Sequence, residues 1–231
     1  MERGAKQVRA MSDPQFHTAG ARPLRALRAE FLCFYLAVPL VFALAVTPRL
    51  LFPMLFALMI GGVALLHVTP GFRWRELLRG RVDLRLVAVF LLLSALVLTA
   101  FVFWLTPGSF LQLPRRQPGL MLAIAIFYPL LSALPQEVLF RALYFRRYRP
   151  LLPRGIWGML LNAAVFAWAH LLYWNWVAVA VTFLGGIAFA YGYKRGGGFG
   201  TAVLMHAAAG LLLFALGLGR YFYSGAVIRP F

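Results

Sequence analysis

Residues 84–105 read LRLVAVFLLLSALVLTAFVFWL, and Arg85 is the only charged residue among these 22. A helix of this length extends about 33 Å, which is enough to cross the hydrocarbon core of a bilayer. Six further apolar runs flank it, at 31–46, 50–67, 120–134, 156–173, 176–193 and 199–218. The sequence therefore predicts an all-α, polytopic transmembrane helix bundle of about seven spans, within a range of six to eight.

The composition leaves no room for a soluble domain. Of the 231 residues, 62% are hydrophobic and 13% are charged, whereas about 25% of the residues of a soluble protein are charged. Most of the surface is therefore expected to face lipid. We predict a basic N-terminal segment at 1–30, a first group of membrane helices at 31–118, a second helical core at 119–218 and a short tail at 219–231.

The charge distribution predicts orientation and excludes one class of partner. The net charge is +17, from 23 Lys and Arg against 6 acidic residues. All but five of the basic residues lie in segments 1–30, 68–85, 141–155 and 194–198, which alternate with the other loops along the chain. The positive-inside rule then predicts a cytoplasmic N-terminus and an external C-terminus. Basic residues in short loops meet lipid headgroups, so we expect a lipid bilayer as partner and no nucleic acid.

One acidic residue stands out from the rest. Glu137 lies in LPQEVLF, residues 134–140, whereas the other five acids lie in the N-terminal segment or in the loop before residue 84. An ionised group at membrane depth costs about 2.5 kcal/mol or more. Arg141 is four residues further on and shares a helix face with Glu137. A structural ion pair at the membrane interface is therefore one interpretation of Glu137.

Two histidines indicate instead a catalytic, metal-binding or proton-transfer role. His170 and His206 lie in the fifth and seventh apolar runs, and Asn162, Phe166 and His170 recur every four residues, along one stripe of a helix. A desolvated glutamate can act as a general base on water, and a histidine can bind that water or stabilise an oxyanion. Two His and one Glu also form a known zinc ligand set, and a proton relay uses the same residue types.

These segments resemble the CAAX-processing and bacteriocin-processing family (CPBP, or Abi) of intramembrane endopeptidases. The family pattern is Glu-Glu-xxx-Arg, then Phe-xxx-His, then His-xxx-Asn, on successive membrane helices. The resemblance covers roughly residues 120–215, so the core at 119–218 is expected to be the catalytic part. The matching residues are Gln136, Glu137 and Arg141; Phe166 and His170; and His206 with Gly210.

The resemblance implies a glutamate-dependent intramembrane protease. Glu137 would activate water, His170 would help to bind that water, and His206 would stabilise the oxyanion. No cofactor is required, although zinc held by these three residues is an alternative. The implied substrate is a membrane-bound peptide or protein, lipidated or with a hydrophobic end. A multi-pass protein of the bacterial inner membrane is expected from the compact length and the arginine-rich loops.

The sequence departs from the family pattern at two positions. The family's water-activating Glu corresponds to Gln136, which cannot be a base, and its oxyanion-binding Asn corresponds to Gly210. Gln136 and Asn162 are candidates to supply the missing hydrogen bonds. A catalytically inactive family member that acts as a membrane scaffold or protective binding protein is the alternative. A small transporter is a third interpretation, but the first three spans carry no charge pairs.

A site shared by Glu137, His170 and His206 requires these residues to lie at a similar depth in the membrane. If the fourth span ended at Leu134, Glu137 would lie near the cytoplasmic face. At ~1.5 Å per residue, His170 would lie about 21 Å and His206 about 10 Å from the starts of their spans. The site hypothesis therefore predicts that the fourth helix continues past Arg141, or that the fifth begins later. Pro129 and Pro135 predict an irregular helix there.

Overall fold

The computed structural model describes residues 23–47, 50–223, 225 and 227. The main helices within these residues are α1 (Leu24–Ala45), α2 (Leu51–His67), α3 (Leu84–Leu105), α4 (Gln112–Arg116), α5 (Pro118–Arg147), α6 (Ile156–Tyr173), α7 (Trp176–Arg195) and α8 (Phe199–Leu216). Short 3₁₀ turns lie at Trp74–Glu76, Pro107–Ser109, Arg149–Leu151 and Gly219–Phe222, and the described residues contain no strand.

The multi-pass membrane fold is confirmed. Six of the helices are long and apolar enough to cross a bilayer: α1, α3, α5, α6, α7 and α8. With 17 residues, α2 is shorter, so the number of spans falls within the predicted six to eight. Several leucine and valine side chains of α3, together with Trp104, are largely exposed, as a lipid-facing surface requires.

The first helix differs from the prediction at its start. It begins at Leu24 rather than Phe31, so the last seven residues of the predicted basic segment are helical. Leu27 is buried while Arg25 and Arg28 are exposed, and this amphipathic turn lacks the continuous apolar character by which spans are recognised. Residues 1–22 of the basic segment, the turn at Pro48–Arg49 and residues 224, 226 and 228–231 of the C-terminal tail lie outside the described residues.

The central element is α5, which runs for 30 residues. Its second half, from Ser132 to Arg147, is largely buried by the surrounding helices. It continues past Arg141 to Arg147, which is the extension that a shared site requires. α8 packs against α3, α5 and α7, and α6 packs against α7. The polar residues of the second helical core therefore lie close together inside the bundle.

Candidate functional site

The functional region of α5 is an irregular helix. Two stretches have π-helical geometry, Pro129–Ala133 and Val138–Leu143. This confirms the irregularity predicted from Pro129 and Pro135. The Tyr35 hydroxyl donates to the carbonyl of Leu139 at 2.6 Å, and Asn162 Nδ2 donates to the carbonyl of Phe140 at 2.6 Å. Side chains from α1 and α6 thus donate hydrogen bonds to backbone carbonyls of the second π segment, next to Glu137.

Glu137 is completely buried and lies between two basic groups. Its Oε1 accepts a hydrogen bond from His206 Nδ1 at 2.8 Å. Its Oε2 lies 3.3 Å from Arg141 Nε, and both of these side chains have zero exposure. A carboxylate in a membrane interior is stable only with such compensation. Glu137 is therefore part of a buried Arg141–Glu137–His206 arrangement that links α5 to α8.

Aromatic rings form the surroundings of Arg141. Its guanidinium carbon lies 4.7 Å from the ring centroid of Phe166 and 5.6 Å from that of Phe189. Among the described residues, its nitrogen atoms have no hydrogen-bond acceptor of good geometry. The cation is therefore balanced by the Glu137 carboxylate and by the faces of two aromatic rings.

His206 projects from α8, where Phe189 contacts the face of its ring and Glu137 contacts its Nδ1. Its ring stacks on Phe189, with centroids 4.7 Å apart and planes at 13°. Because Nδ1 donates to Glu137, the neutral ring carries its lone pair on Nε2. A carboxylate behind an imidazole fixes the tautomer and stabilises the imidazolium when the ring takes up a proton.

His170 lies at the end of α6, where the helix tightens into a 3₁₀ turn. Its Nδ1 donates to the carbonyl of Phe166 at 2.8 Å, which also leaves Nε2 as the acceptor. The Phe166 ring contacts both histidines, with centroid distances of 4.6 Å to His170 and 5.5 Å to His206. One aromatic side chain therefore packs against both imidazoles.

A cavity of about 450 Å³ joins these groups. Its wall is mostly apolar, and its polar lining includes Tyr128, Ser132, Gln136, His170 and His206. Glu137 is not part of the lining. The two histidines thus face the same space, while the carboxylate lies behind one of them.

The cavity continues beyond this site. A second cavity of about 700 Å³ shares Tyr128, Ser132, Tyr173, Phe214 and Phe222 with the first. The lining of the first cavity also includes Leu93, Val97 and Leu184, which are largely exposed on the lipid-facing surfaces of α3 and α7. The site is therefore open along an apolar path at the bilayer side.

The structure places the two departing motif positions beside this cavity. Gln136 lines it, and its Nε2 donates to Ser132 Oγ at 2.9 Å. Gly210 lies against Tyr128: a Cβ atom at position 210 would overlap Cε1, Cζ and the hydroxyl oxygen of that tyrosine. The space that a side chain at 210 would need is therefore filled by the phenol of Tyr128.

Six of the seven predicted site residues meet around the cavity or behind it: Gln136, Glu137, Arg141, Phe166, His170 and His206. Asn162 is buried and does not line the cavity; it bonds to the α5 backbone instead. Four further residues at the site were not predicted from the sequence: Tyr128, Ser132, Phe189 and Tyr35. A spacing of four residues on α5 was an available signal for Tyr128 and Ser132, because it aligns them with Gln136. The contacts of Phe189 and Tyr35 join segments distant in sequence and leave no such signal.

The zinc alternative concerns Glu137, His170 and His206. Within the residues that the structure describes, no group of three or more His, Cys, Asp or Glu side chains is arranged to hold a metal ion. Both carboxylate oxygens of Glu137 already face basic partners, one on His206 and one on Arg141. Of the three predicted ligands, Glu137 and His206 therefore bond to each other, whereas His170 Nδ1 bonds to the carbonyl of Phe166.

Comparison with known proteins gives one match. Residues 118–212 match the family model described as type II CAAX prenyl endopeptidase, Rce1-like. This range contains all seven predicted site residues together with Tyr128 and Gly210, and it agrees with the CPBP resemblance. No curated protein and no solved structure matches the chain.

Proposed function

From the Rce1-like domain at residues 118–212, which is of the CAAX-type intramembrane protease family, we propose that the protein is an intramembrane endopeptidase. It hydrolyses a peptide bond in a membrane-bound protein or peptide. The observation that carries this proposal is the contact between Glu137 and His206 at the cavity wall. The carboxylate holds Nδ1 at 2.8 Å, and the same imidazole lines a cavity inside the bundle.

In this proposal Glu137 activates water through His206 rather than by direct contact. The expectation from the family pattern had Glu137 as the base itself, but its side chain does not line the cavity. His206 Nε2 takes a proton from water as the water oxygen bonds to the substrate carbonyl carbon. The carbonyl π electrons become an oxyanion, and the Glu137 carboxylate stabilises the imidazolium that forms.

Collapse of the tetrahedral intermediate completes the reaction. The carbon–nitrogen bond breaks, the oxyanion electrons re-form the carbonyl, and the imidazolium returns its proton to the leaving amine. His170 orients the water, since its Nε2 is an acceptor on the same cavity. Gln136 contributes hydrogen bonds but no basic group. General base catalysis of this kind contributes about 10²–10⁴-fold to a rate.

The reaction is proposed to proceed without a metal ion. His206 and Glu137 supply the proton acceptor and its counter-charge, so no Lewis acid is needed to generate the nucleophile. Protein purified without chelator is expected to contain less than stoichiometric zinc, and its activity is expected to survive chelation. Stoichiometric zinc whose removal abolishes cleavage would contradict this part of the proposal.

The substrate is proposed to enter from the bilayer. The apolar path past Leu93, Val97 and Leu184 suits a lipidated tail or a hydrophobic peptide segment better than a soluble peptide. The bacterial inner membrane is the proposed location, on the grounds of the arginine-rich loops.

The test compares membrane-protein termini in cells that express the native protein, Glu137→Gln or Glu76→Gln, alongside a deletion strain. Glu76 is the matched control, because it is a half-buried loop glutamate that pairs with Arg146 at 3.6 Å, away from the cavity. Termini that depend on the native protein are expected to persist with Glu76→Gln. With Glu137→Gln they are expected to disappear. Each variant is checked for folding by its abundance and its elution as a monodisperse species.

The result that would overturn the proposal is a native strain whose termini match those of the deletion strain while the folded protein is present. One observation favours a second function in that case. An amide, Gln136, faces the cavity at the position where the family carries a glutamate. The protein would then be an inactive family member that binds or protects a membrane partner, and Glu137 with Arg141 would be structural.

A further inference from the structure

Tyr128 occupies a position on the cavity wall that the proposed mechanism has not used. It lines both cavities and lies where they meet. Its ring faces His206 nearly edge-on, with centroids 6.2 Å apart and planes at 72°. The phenol therefore borders the imidazole that is proposed to take the proton from water.

Gly210 permits this arrangement. It follows His206 by four residues on α8, so the two positions lie on the same helix face. A Cβ atom at 210 would overlap Cε1, Cζ and the hydroxyl oxygen of Tyr128. The absence of a side chain at this position is therefore what allows the phenol to lie one turn from His206. Any larger residue at 210 would displace the hydroxyl.

The position of Tyr128 on α5 continues a polar stripe into the cavity. Ser132 and Gln136 follow at intervals of four residues and also line the cavity, and they are hydrogen-bonded to each other. A phenol at the head of this stripe is a neutral donor at physiological pH. It is of the donor type that stabilises a developing oxyanion in a water-poor site.

We propose that Tyr128 is a catalytic residue whose hydroxyl donates a hydrogen bond to the oxyanion of the tetrahedral intermediate. This inference rests on the proposed endopeptidase function. Tyr128 keeps its proton throughout: the proton from water goes to His206, and the carbonyl electrons go to the oxygen that the phenol contacts. The phenol thus performs on α5 the task for which position 210 has no side chain.

The test uses a peptide that spans a cleavage site identified from the membrane-protein termini, with purified full-length protein in lipid discs. Tyr128→Phe keeps the ring that fills the space beside Gly210 and removes only the hydroxyl. We expect kcat to fall about 100-fold, in the range for loss of one oxyanion donor, with KM changed less than twofold. Tyr191→Phe is the matched control, because Tyr191 is 47% exposed and does not line either cavity; its kcat should match the native value.

A second variant separates catalysis from packing. In the native background, Gly210→Ala is expected to displace the Tyr128 hydroxyl and to lower kcat. In the Tyr128→Phe background the same change is expected to leave kcat unchanged, because the displaced ring no longer carries a donor. An unchanged kcat for Tyr128→Phe would overturn the role of Tyr128 while leaving the endopeptidase proposal intact. A native protein that shows no cleavage dependent on His206 would overturn both.

Discussion

α5 carries two buried arginines that pair with glutamates, and the two pairs differ in how completely they are satisfied. Arg147 pairs with Glu30 of α1 through Nε and through Nη2, the latter at 2.9 Å. Its Nη1 donates to Thr69 Oγ1 at 3.0 Å and to the carbonyl of Leu65 at 3.1 Å. Tyr148 donates to the same carboxylate at 2.8 Å. Every part of this guanidinium has a partner, so the pair ties α1, α2 and α5 together.

The second pair, Arg141 with Glu137, is arranged differently. The guanidinium has one ionic contact and two aromatic faces, while the other oxygen of the carboxylate is committed to His206. One side of the arrangement therefore reaches the cavity wall. A buried carboxylate–arginine pair is therefore not by itself a functional signal. Glu137 is distinguished by the His206 imidazole, which lies between the pair and the cavity.

Tyr148 illustrates the structural character of the first pair. Burial, together with its hydrogen bond to Glu30, raises the pKa of the Tyr148 phenol above its ordinary value. The hydroxyl therefore stays protonated and remains a donor throughout the physiological pH range. Nothing in the first pair is arranged to exchange a proton with a substrate.

The largest expected effect contrasts the two glutamates. Glu137→Gln removes the charge that stabilises the His206 imidazolium, so kcat is expected to fall by about 10³–10⁴-fold. Glu30→Gln breaks a buried pair away from the cavity and is expected to lower the free energy of unfolding by about 3 kcal/mol. Its kcat per folded molecule should stay within about twofold of the native value. Peptide cleavage and chemical denaturation in lipid discs measure the two quantities; a similar loss of kcat in both variants would remove the distinction.

A smaller effect of opposite sign is expected at the neighbouring position. Gln136→Glu places a carboxylate on the cavity wall, where it contacts water directly and acts as a second base. We expect kcat to rise about tenfold, within the range for general base catalysis. Gln117→Glu, at the start of α5 and bordering only the second cavity, is the control. A fall in kcat for Gln136→Glu would indicate that the native amide has a positioning role that a carboxylate cannot fill.

The smallest effect concerns the backbone that holds Glu137. Tyr35→Phe removes the donor to the Leu139 carbonyl while keeping the aromatic packing of the α1–α5 interface. The Leu139 carbonyl keeps its bond from the backbone N–H of Tyr144, so the loss of the second hydrogen bond is expected to lower the free energy of unfolding by about 0.5–1.5 kcal/mol, with kcat changed by less than about fivefold. Tyr193→Phe on α7 is the comparison, because the Tyr193 ring stacks on Phe145 and its hydroxyl bonds to no π-segment carbonyl. Equal stability of the two variants would contradict the proposed role of Tyr35.

Much of the fold followed from hydropathy alone. The predicted runs at 84–105 and 156–173 coincide with α3 and α6, because long apolar segments with charged flanks have one stable arrangement in a bilayer. The extension of α5 through Pro135 was required by the site hypothesis and not by hydropathy. Two π-helical segments accommodate this extension, and side chains of α1 and α6 bond to carbonyls of the second segment. Such long-range contacts leave no local pattern in the sequence.

The candidate site was only partly predictable from the sequence. The rarity of ionisable residues in apolar runs drew attention to Glu137, His170 and His206. The order of the groups was not predictable, because Glu137 and Gln136 are adjacent in sequence and the register of α5 decides which one faces the cavity. The role proposed for Tyr128 depends on a missing side chain at Gly210, on another helix. Such pairs become visible only when the helices are packed.

The most direct test of the account is the activity of His206→Ala with and without added imidazole. The control is His67→Ala, at the end of α2, where the ring contacts Trp74 and not the cavity. If His206 is the general base, His206→Ala is expected to lose about 10³-fold or more of kcat. Millimolar imidazole, which we expect to occupy the space that the deleted ring leaves beside Glu137, should restore part of kcat, while His67→Ala remains active and insensitive. A folded His206→Ala protein that cleaves at the native rate would contradict the account.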